Sequence, residues 1–295
     1  KSAMMTMTKN PFHSISASTA SLLAATQETF LHSRVAEACA EHYQDAFHVM
    51  FGTIALTFVL EIWSIDTVKG LLSMPGGKEL YVKSIKANLI HYILIGIPAY
   101  IVAAIRVRRR TPSSHLESAL LIMGLLFSNS VQYYLVHRAF HASPKLYRYH
   151  KLHHRFNEYV PPSAGNAVSL VEYIVGYVAP FRISIFILPI DLWSLKVGMI
   201  IISVFHLINH TPKIEAITQK MLPSWWVSTH DHMEHHRKMH CHYSSPTFDI
   251  DAIFQSASDL LQKMIPDRAR CTFRNRRSST RGSSFSTPST NGARA

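Results

Sequence analysis

The chain has 295 residues, of which 47% are hydrophobic and only 16% charged, well below the roughly 25% charged residues of a soluble domain. This balance points to a membrane, and the formal net charge of +12 does not indicate a nucleic-acid partner, because basic residues flanking apolar runs mark membrane loops. Three scattered cysteines, Cys39, Cys241 and Cys271, exclude a disulfide scaffold and suit a reducing compartment.

Residues 1–47 are polar and mixed, a variable N-terminal region without the basic start and short apolar core of a secretory signal. Apolar runs follow at 49–65, 88–105, 118–136, 167–187 and 192–209, each near the roughly 20 residues that cross a bilayer core. Glu61, His91, Pro98, Asn129, Gln132, Glu172, Pro180 and Arg182 interrupt them. Such residues are costly beside lipid, so they are expected to face a bundle interior or a cavity. The pattern predicts an all-α polytopic membrane helical bundle with a histidine-rich cap on the cytosolic side. It divides into N-terminal membrane helices over 48–117, a histidine-bearing domain over 118–266, and a basic Ser/Thr-rich tail over 267–295 that reads as disordered.

Lys69, Lys78, Lys83 and Lys86 are read as a loop between the first two runs; if all three early runs span, Arg106, Arg108, Arg109 and Arg110 lie on the opposite side, and the sequence leaves open whether 88–105 crosses fully. The passes 167–187 and 192–209 form a hairpin around Pro189-Ile190-Asp191, which returns the chain to the side it left. His13, His32, His42, His48 and His115 read as surface residues, and His91 as a membrane-interface residue. Trp193, Trp225, Trp226, Tyr133 and Tyr134 read as interfacial aromatics.

Ten histidines carry the chemistry. They form four clusters, His137/His141, His150/His153/His154, His206/His210 and His232/His235/His236. Residues three or four apart share one face of a helix, so each cluster can aim two or three imidazoles at one point. Imidazole is the commonest metal ligand, and ten exceed what one ion can use, so a two-metal site is expected. The His-Glu-x-x-His motif of zinc hydrolases is missing, as are the Glu-x-x-His pairs of soluble di-iron bundles between 137 and 242. Metal-bound histidines usually give their second N–H to a carboxylate or carbonyl. Asn209, Asp231 and Glu234 are the candidates for that support, and His230, His240 and His242 are further candidates beside the last cluster.

The order His137-Arg138-Ala139-Phe140-His141, His150-Lys151-Leu152-His153-His154, His206 to His210 and His232 to His236, followed by His242-Tyr243-Ser244-Ser245-Pro246-Thr247-Phe248-Asp249-Ile250-Asp251, resembles the fatty acid hydroxylase superfamily over about residues 118–255. That superfamily includes sterol desaturases, sterol methyl oxidases and fatty acid hydroxylases. The resemblance implies an integral membrane enzyme of the endoplasmic reticulum with a non-haem di-iron centre on the cytosolic face. It implies use of O2 to hydroxylate or desaturate a lipid, a sterol or fatty acyl chain, in lipid biosynthesis. It also implies electrons from NAD(P)H through a separate cytochrome b5-type or reductase donor. Members often carry an acidic residue about seven places before the first cluster; here that place is Ser130. Two rival readings are a histidine-rich metal transporter and a catalytically inactive metal-binding relative. The first is disfavoured because the clusters lie at the ends of the apolar runs.

Overall fold

The computed structural model describes residues 12–107 and 114–264. Arg108, Arg109, Arg110, Cys271, the tail at 267–295 and the side chains of His13 and His32 lie outside the described residues. Helix α1 spans Phe12–Trp63, α2 Ile65–Ser73 and α3 Gly77–Arg106. Next come α4 (His115–Ala142), α5 (Pro144–His150), α6 (Leu170–Ile187) and α7 (Leu192–Asn209). Then follow α8 (Glu215–Met221) and α9 (Thr229–Lys238). Helix α10, Ile250–Met264, belongs to a second compact unit. No strand occurs among the described residues.

Among the described residues, five helical stretches are long and apolar enough to cross a membrane: Cys39–Trp63 within α1, then α3, α4, α6 and α7. Only 33–50% of each stretch is buried in the bundle, so at least half of each faces outward. That outward surface is apolar, with Phe58, Ile62, Leu94, Leu120, Leu135 and Phe186 exposed, as lipid requires. The protein is an integral membrane protein. The inner faces meet in one core that includes Met50, Tyr100, Leu125, Phe181 and Leu195.

The helix ends are set by local chemistry. Ser114, Ser169 and Asp191 cap α4, α6 and α7 by accepting backbone N–H bonds from Glu117, Glu172 and Ser194. Between α2 and α3, Gly76 takes φ 72° and Gly77 passes so close to the Leu71 carbonyl that a Cβ would lie 1.8 Å from its oxygen. Only glycine supplies both features. Helices α3 and α6 each contain π-helical turns, Ile90–Gly96 and Tyr173–Val178, shortly before Pro98 and Pro180. A proline inside an α-helix clashes with the carbonyl four residues back, and the wider π turn accommodates it. These two turns face each other, with His91 stacked on Tyr173 at 4.3 Å.

Contacts fix the direction of each span. Lys196 pairs with Asp45 at 2.5 Å, and the Arg106 guanidinium lies over Phe186, so the starts of the α1 span and α7 meet the ends of α3 and α6. At the opposite end Lys213 donates to the Trp63 carbonyl at 2.7 Å. All four histidine clusters lie at this second end. Lys69, Lys78, Lys83 and Lys86 also lie there, but on α2 and α3 rather than in a loop. The apolar sides of α2 and α3 bury Leu71 and Leu80 against Phe156 and Met233, and that packing makes the stretch helical.

Most of the interrupting residues turn inward, but Pro98 and Arg182 are exposed. Glu61, His91, Asn129 and Glu172 are buried, and Gln132 donates to Ser184 across α4 and α6 at 3.0 Å. His91 is therefore an interior residue and not an interfacial one. His42, Tyr133 and Tyr134 are also buried, against the expectation of surface and interfacial positions, because they fall on the bundle-facing sides of α1 and α4. His48, His115, Trp193 and Trp225 are exposed, as expected.

Candidate metal centre

The last turns of α4 carry His137 and His141, and Ser143-Pro144 then starts α5, which folds back to bring His150 beside them. A 3-10 turn over His153–Arg155 adds His153 and His154. His206 and His210 sit at the end of α7. A capping box between Ser228 and Asp231 starts α9, which presents His232, His235 and His236.

Nine of the ten imidazoles gather into two groups. His137, His141, His150, His154 and His235 form one, and His153, His210, His232 and His236 the other, with candidate ligand atoms within 4.8 Å of one another in each. All nine are buried except His141, which is half-buried. The groups adjoin, since the rings of His154 and His236 are 5.2 Å apart. His206 belongs to neither group. It is buried, its Nε2 has no hydrogen-bond partner, and its ring lies edge-on to Tyr177 at 5.2 Å.

The proton positions follow from the outer partners. His137 Nδ1 meets the Tyr243 carbonyl at 2.7 Å, His235 Nδ1 that of Cys241 at 2.7 Å, His153 Nδ1 that of Ala164 at 3.1 Å and His210 Nδ1 that of His206 at 2.8 Å. A carbonyl only accepts, so each Nδ1 holds the proton and each Nε2 presents a lone pair inward. The Glu172 carboxylate does the same for His150, 2.5 Å from Nδ1. His137 Nε2 and His150 Nε2 are then 3.0 Å apart with no proton between them, and His154 Nε2 lies 2.9 Å from His150 Nε2 and 3.2 Å from His235 Nε2. In the second group His232 and His210 oppose their Nε2 atoms at 2.9 Å. His153 Nε2 and both His236 nitrogens are buried without partners. Lone pairs crowded in this way repel each other unless a cation lies among them. The donor set therefore fits bound metal.

Burial, with the neighbouring imidazoles adding to it, holds His150, His153, His210, His232 and His236 well below the usual imidazole range. Burial first, and then its neighbours, pushes His154 down to about 2, and burial brings His235 to about 3. These rings stay neutral at physiological pH, as metal ligation requires.

The side chains expected to support the ligands bond elsewhere. Asp231 closes the capping box, accepting from the Ser228 hydroxyl at 2.6 Å. Glu234 pairs with Arg237 and Lys238 on the outer face of α9. His230 pairs with Glu215 at 2.7 Å, and the exposed His240 turns to the Lys238 carbonyl. Asn209 donates to the Pro246 carbonyl at 2.9 Å. His242, in the left-handed region at φ 53°, is in neither histidine group. The supporting carboxylate is Glu172. Its signal was an acid inside an apolar run, but spacing alone did not pair it with His150.

Two loops carry the carbonyl acceptors, and distant side chains hold both. The strap at 241–248 is fastened by Asn209 and by Ser130, whose hydroxyl meets Thr247 Oγ1 at 2.8 Å and accepts from the Phe248 N–H at 3.2 Å. The 3-10 turn Pro162–Asn166 is fastened from α1 and α3. Glu61 accepts the Ser163 N–H at 3.2 Å and the Tyr81 hydroxyl at 2.6 Å, while Asn88 donates to the Ser163 carbonyl at 2.8 Å. A partly open cavity among α1, α3, α4, α6 and α7 has His206 in its wall.

A membrane helical bundle in which nine imidazoles converge is compatible with a metal site. The fatty acid hydroxylase family model matches residues 121–256, which hold all four clusters. This segment is similar to a fatty acid hydroxylase domain. No curated protein and no solved structure matches the chain.

Proposed function

We propose that this protein is a non-haem di-iron oxidoreductase that uses O2 to hydroxylate or desaturate a lipid, a sterol or fatty acyl chain, in lipid biosynthesis. The observation that carries this reading is the convergence of inward Nε2 lone pairs into two adjoining groups beside a bundle cavity. Zinc usually takes four ligands, and the first group offers five. Nitrogens bound at about 2.05 Å lie about 2.9 Å apart at a right angle and about 3.3 Å apart in a tetrahedron. The spacings of 2.9, 3.0, 3.1 and 3.2 Å in that group favour a higher coordination number, which suits iron.

Iron would be held by the nine grouped histidines, with His206 at the cavity wall. When bound, it would supply the redox chemistry that breaks an unactivated C–H bond. The chain's own residues supply the rest. Tyr92, Tyr133, Phe181, Met199 and Ile202 line a mainly apolar cavity suited to an apolar substrate. Glu172 and the carbonyls of Tyr243, Cys241 and Ala164 orient the imidazoles. Electrons come from NAD(P)H through a separate cytochrome b5-type or reductase donor. Arg138, Lys145, Arg148, Lys151, Arg155 and the lysines of α2 and α3 stand at the histidine end. By the positive-inside rule this end faces the cytosol, in the endoplasmic reticulum membrane.

The test is purified protein reconstituted with ferrous iron and supplied with O2, NAD(P)H, a reductase and cellular lipids. Two irons per chain and a hydroxylated or desaturated lipid, formed only when O2 and NAD(P)H are both present, are expected. Firm binding of one zinc, with no lipid product under any condition, would overturn the reading.

A further inference from the structure

Helix α10 carries an amphipathic pattern that the metal centre does not use. Ile250, Ile253, Phe254 and Ala257 fall on one stripe, and the sequence continues that register with Leu260, Leu261 and Met264. At about 100° per residue these positions cover roughly 120° of the helix, the width of an apolar face that packs on something. The other positions are polar apart from Ala252. Ile250 is buried and Ile253 half-buried, but every residue from Phe254 to Asp259 is exposed, on both faces alike. A helix in a protein draws most of its stability from a covered apolar face, so the stripe calls for a cover.

The chain delivers α10 to the edge of the membrane. Pro246, whose carbonyl accepts from Asn209, is level with the last residue of the α7 span. Phe248 then lies against Phe127 of the α4 span at 5.3 Å and stacks on Trp225 at 5.6 Å, while Trp226 meets Phe205 of the α7 span at 4.9 Å. Phe127 and Trp225 are exposed, and exposed aromatics at the level of a span end mark a membrane–water boundary. Helix α10 starts two residues after Phe248. Beyond its end the sequence has six arginines and one acid between 267 and 281. An apolar stripe joined to a polybasic run is the pair of signals that holds an element on an anionic leaflet. A second copy of this chain would set the same arginines against one another, so charge favours lipid as the cover.

We propose that α10 lies in the surface of the leaflet at the histidine end, with its apolar stripe among the acyl chains and the arginines that follow it on anionic phospholipid headgroups. The proposal rests on the membrane spans and not on the reaction assigned to the metal centre. It gives the strap at 241–248 a lipid-held end, beyond its bonds to Ser130 and Asn209.

The experiment is hydrogen–deuterium exchange of the full chain, one chain per nanodisc, in discs of phosphatidylcholine alone or of phosphatidylcholine and phosphatidylserine in equal parts. Amides of 253–264 are expected to exchange about tenfold or more slowly in the anionic discs, with the spans unchanged. A diazirine on the lipid acyl chain should label Ile253, Phe254 and Ala257 but not Gln255 or Ser258, and Phe254→Asp should remove most of that label. Arg276→Gln with Arg277→Gln should lower the docked-to-free ratio about fivefold for each arginine. These positions lie outside the spans and the histidine groups, and unchanged exchange in α4 and α7 confirms that the bundle is intact. Equal exchange in neutral and anionic discs, a preference unmoved by the arginine changes, or labelling that ignores the helical face would overturn the proposal. Protection that appears only when two chains share a disc would also overturn it, and would assign the stripe to a second copy.

Discussion

Replacing Glu172 by alanine gives the sharpest test of how the centre is held. His150 is completely buried, and its Nδ1–H has the Glu172 carboxylate at 2.5 Å as its acceptor. Removing that acceptor leaves a buried donor unsatisfied, at a cost of about 1–3 kcal/mol. The ring can recover the loss only by turning or by moving its proton to Nε2, and either removes a lone pair from the first group. Expressed as metal affinity the same energy is about 10–100-fold, the usual effect of losing such a partner. Glu172→Gln keeps an oxygen in the same place and should lose less. The assay is competition with a graded series of chelators, with a thermal melt of the metal-free variant as the folding control. One equivalent of metal should weaken and the other should not, because Glu172 bonds to His150 of the first group, while His153 and His210 of the second are held by main-chain carbonyls. A folded Glu172→Ala protein that holds both equivalents as tightly as the native chain would refute the reasoning.

Three further outcomes are expected. Gly165→Ala places a Cβ 2.8 Å from His206 Nε2 and 3.0 Å from His210 Nδ1; this overpacking should cost about 1–3 kcal/mol and weaken metal at the second group, read by melting and metal counts. Glu61→Ala should release the 162–166 turn and loosen the Ala164 carbonyl from His153, lowering metal content at the second group, while Glu61→Gln, which still accepts the Ser163 N–H, should restore most of it. The pH dependence has a fixed sign. The folded chain holds His154 near 2 and His235 near 3, below the ordinary value of about 6.5, so the unfolded chain binds more protons below that value. Stability is fully present above about pH 6.5 and falls as pH drops through 6 and 5, and metal loading falls with it. Melts of the metal-free protein from pH 8 to 5 check this, and a flat profile would contradict the burial of neutral rings.

The spans and the histidine clusters were legible in the sequence because both are local patterns. A run of about 20 apolar residues needs no partner to be recognised, and ligands three or four apart announce a shared helical face. The supports were not legible, because they join distant positions. Glu172 reaches His150 across the α5–α6 connection, and Glu61 reaches Ser163 from a helix outside the matched domain. The carbonyl acceptors leave no mark in a sequence, since every residue has one. Asp231 and Glu234 were the nearest acids to the ligands, yet a helix start and two surface cations claim them. His42, Tyr133 and Tyr134 lay in or near apolar runs whose inward side only packing decides.

Four of the grouped imidazoles rest on main-chain oxygens rather than on neighbouring side chains. Identity at Ala164, Cys241 and Tyr243 is therefore nearly free to drift, as long as the replacement packs. Length is not free: dropping or adding one residue within 162–166 or 241–246 would carry the oxygens out of register with the rings. This centre is guarded by spacing, and over generations it would tolerate altered letters far better than altered counts.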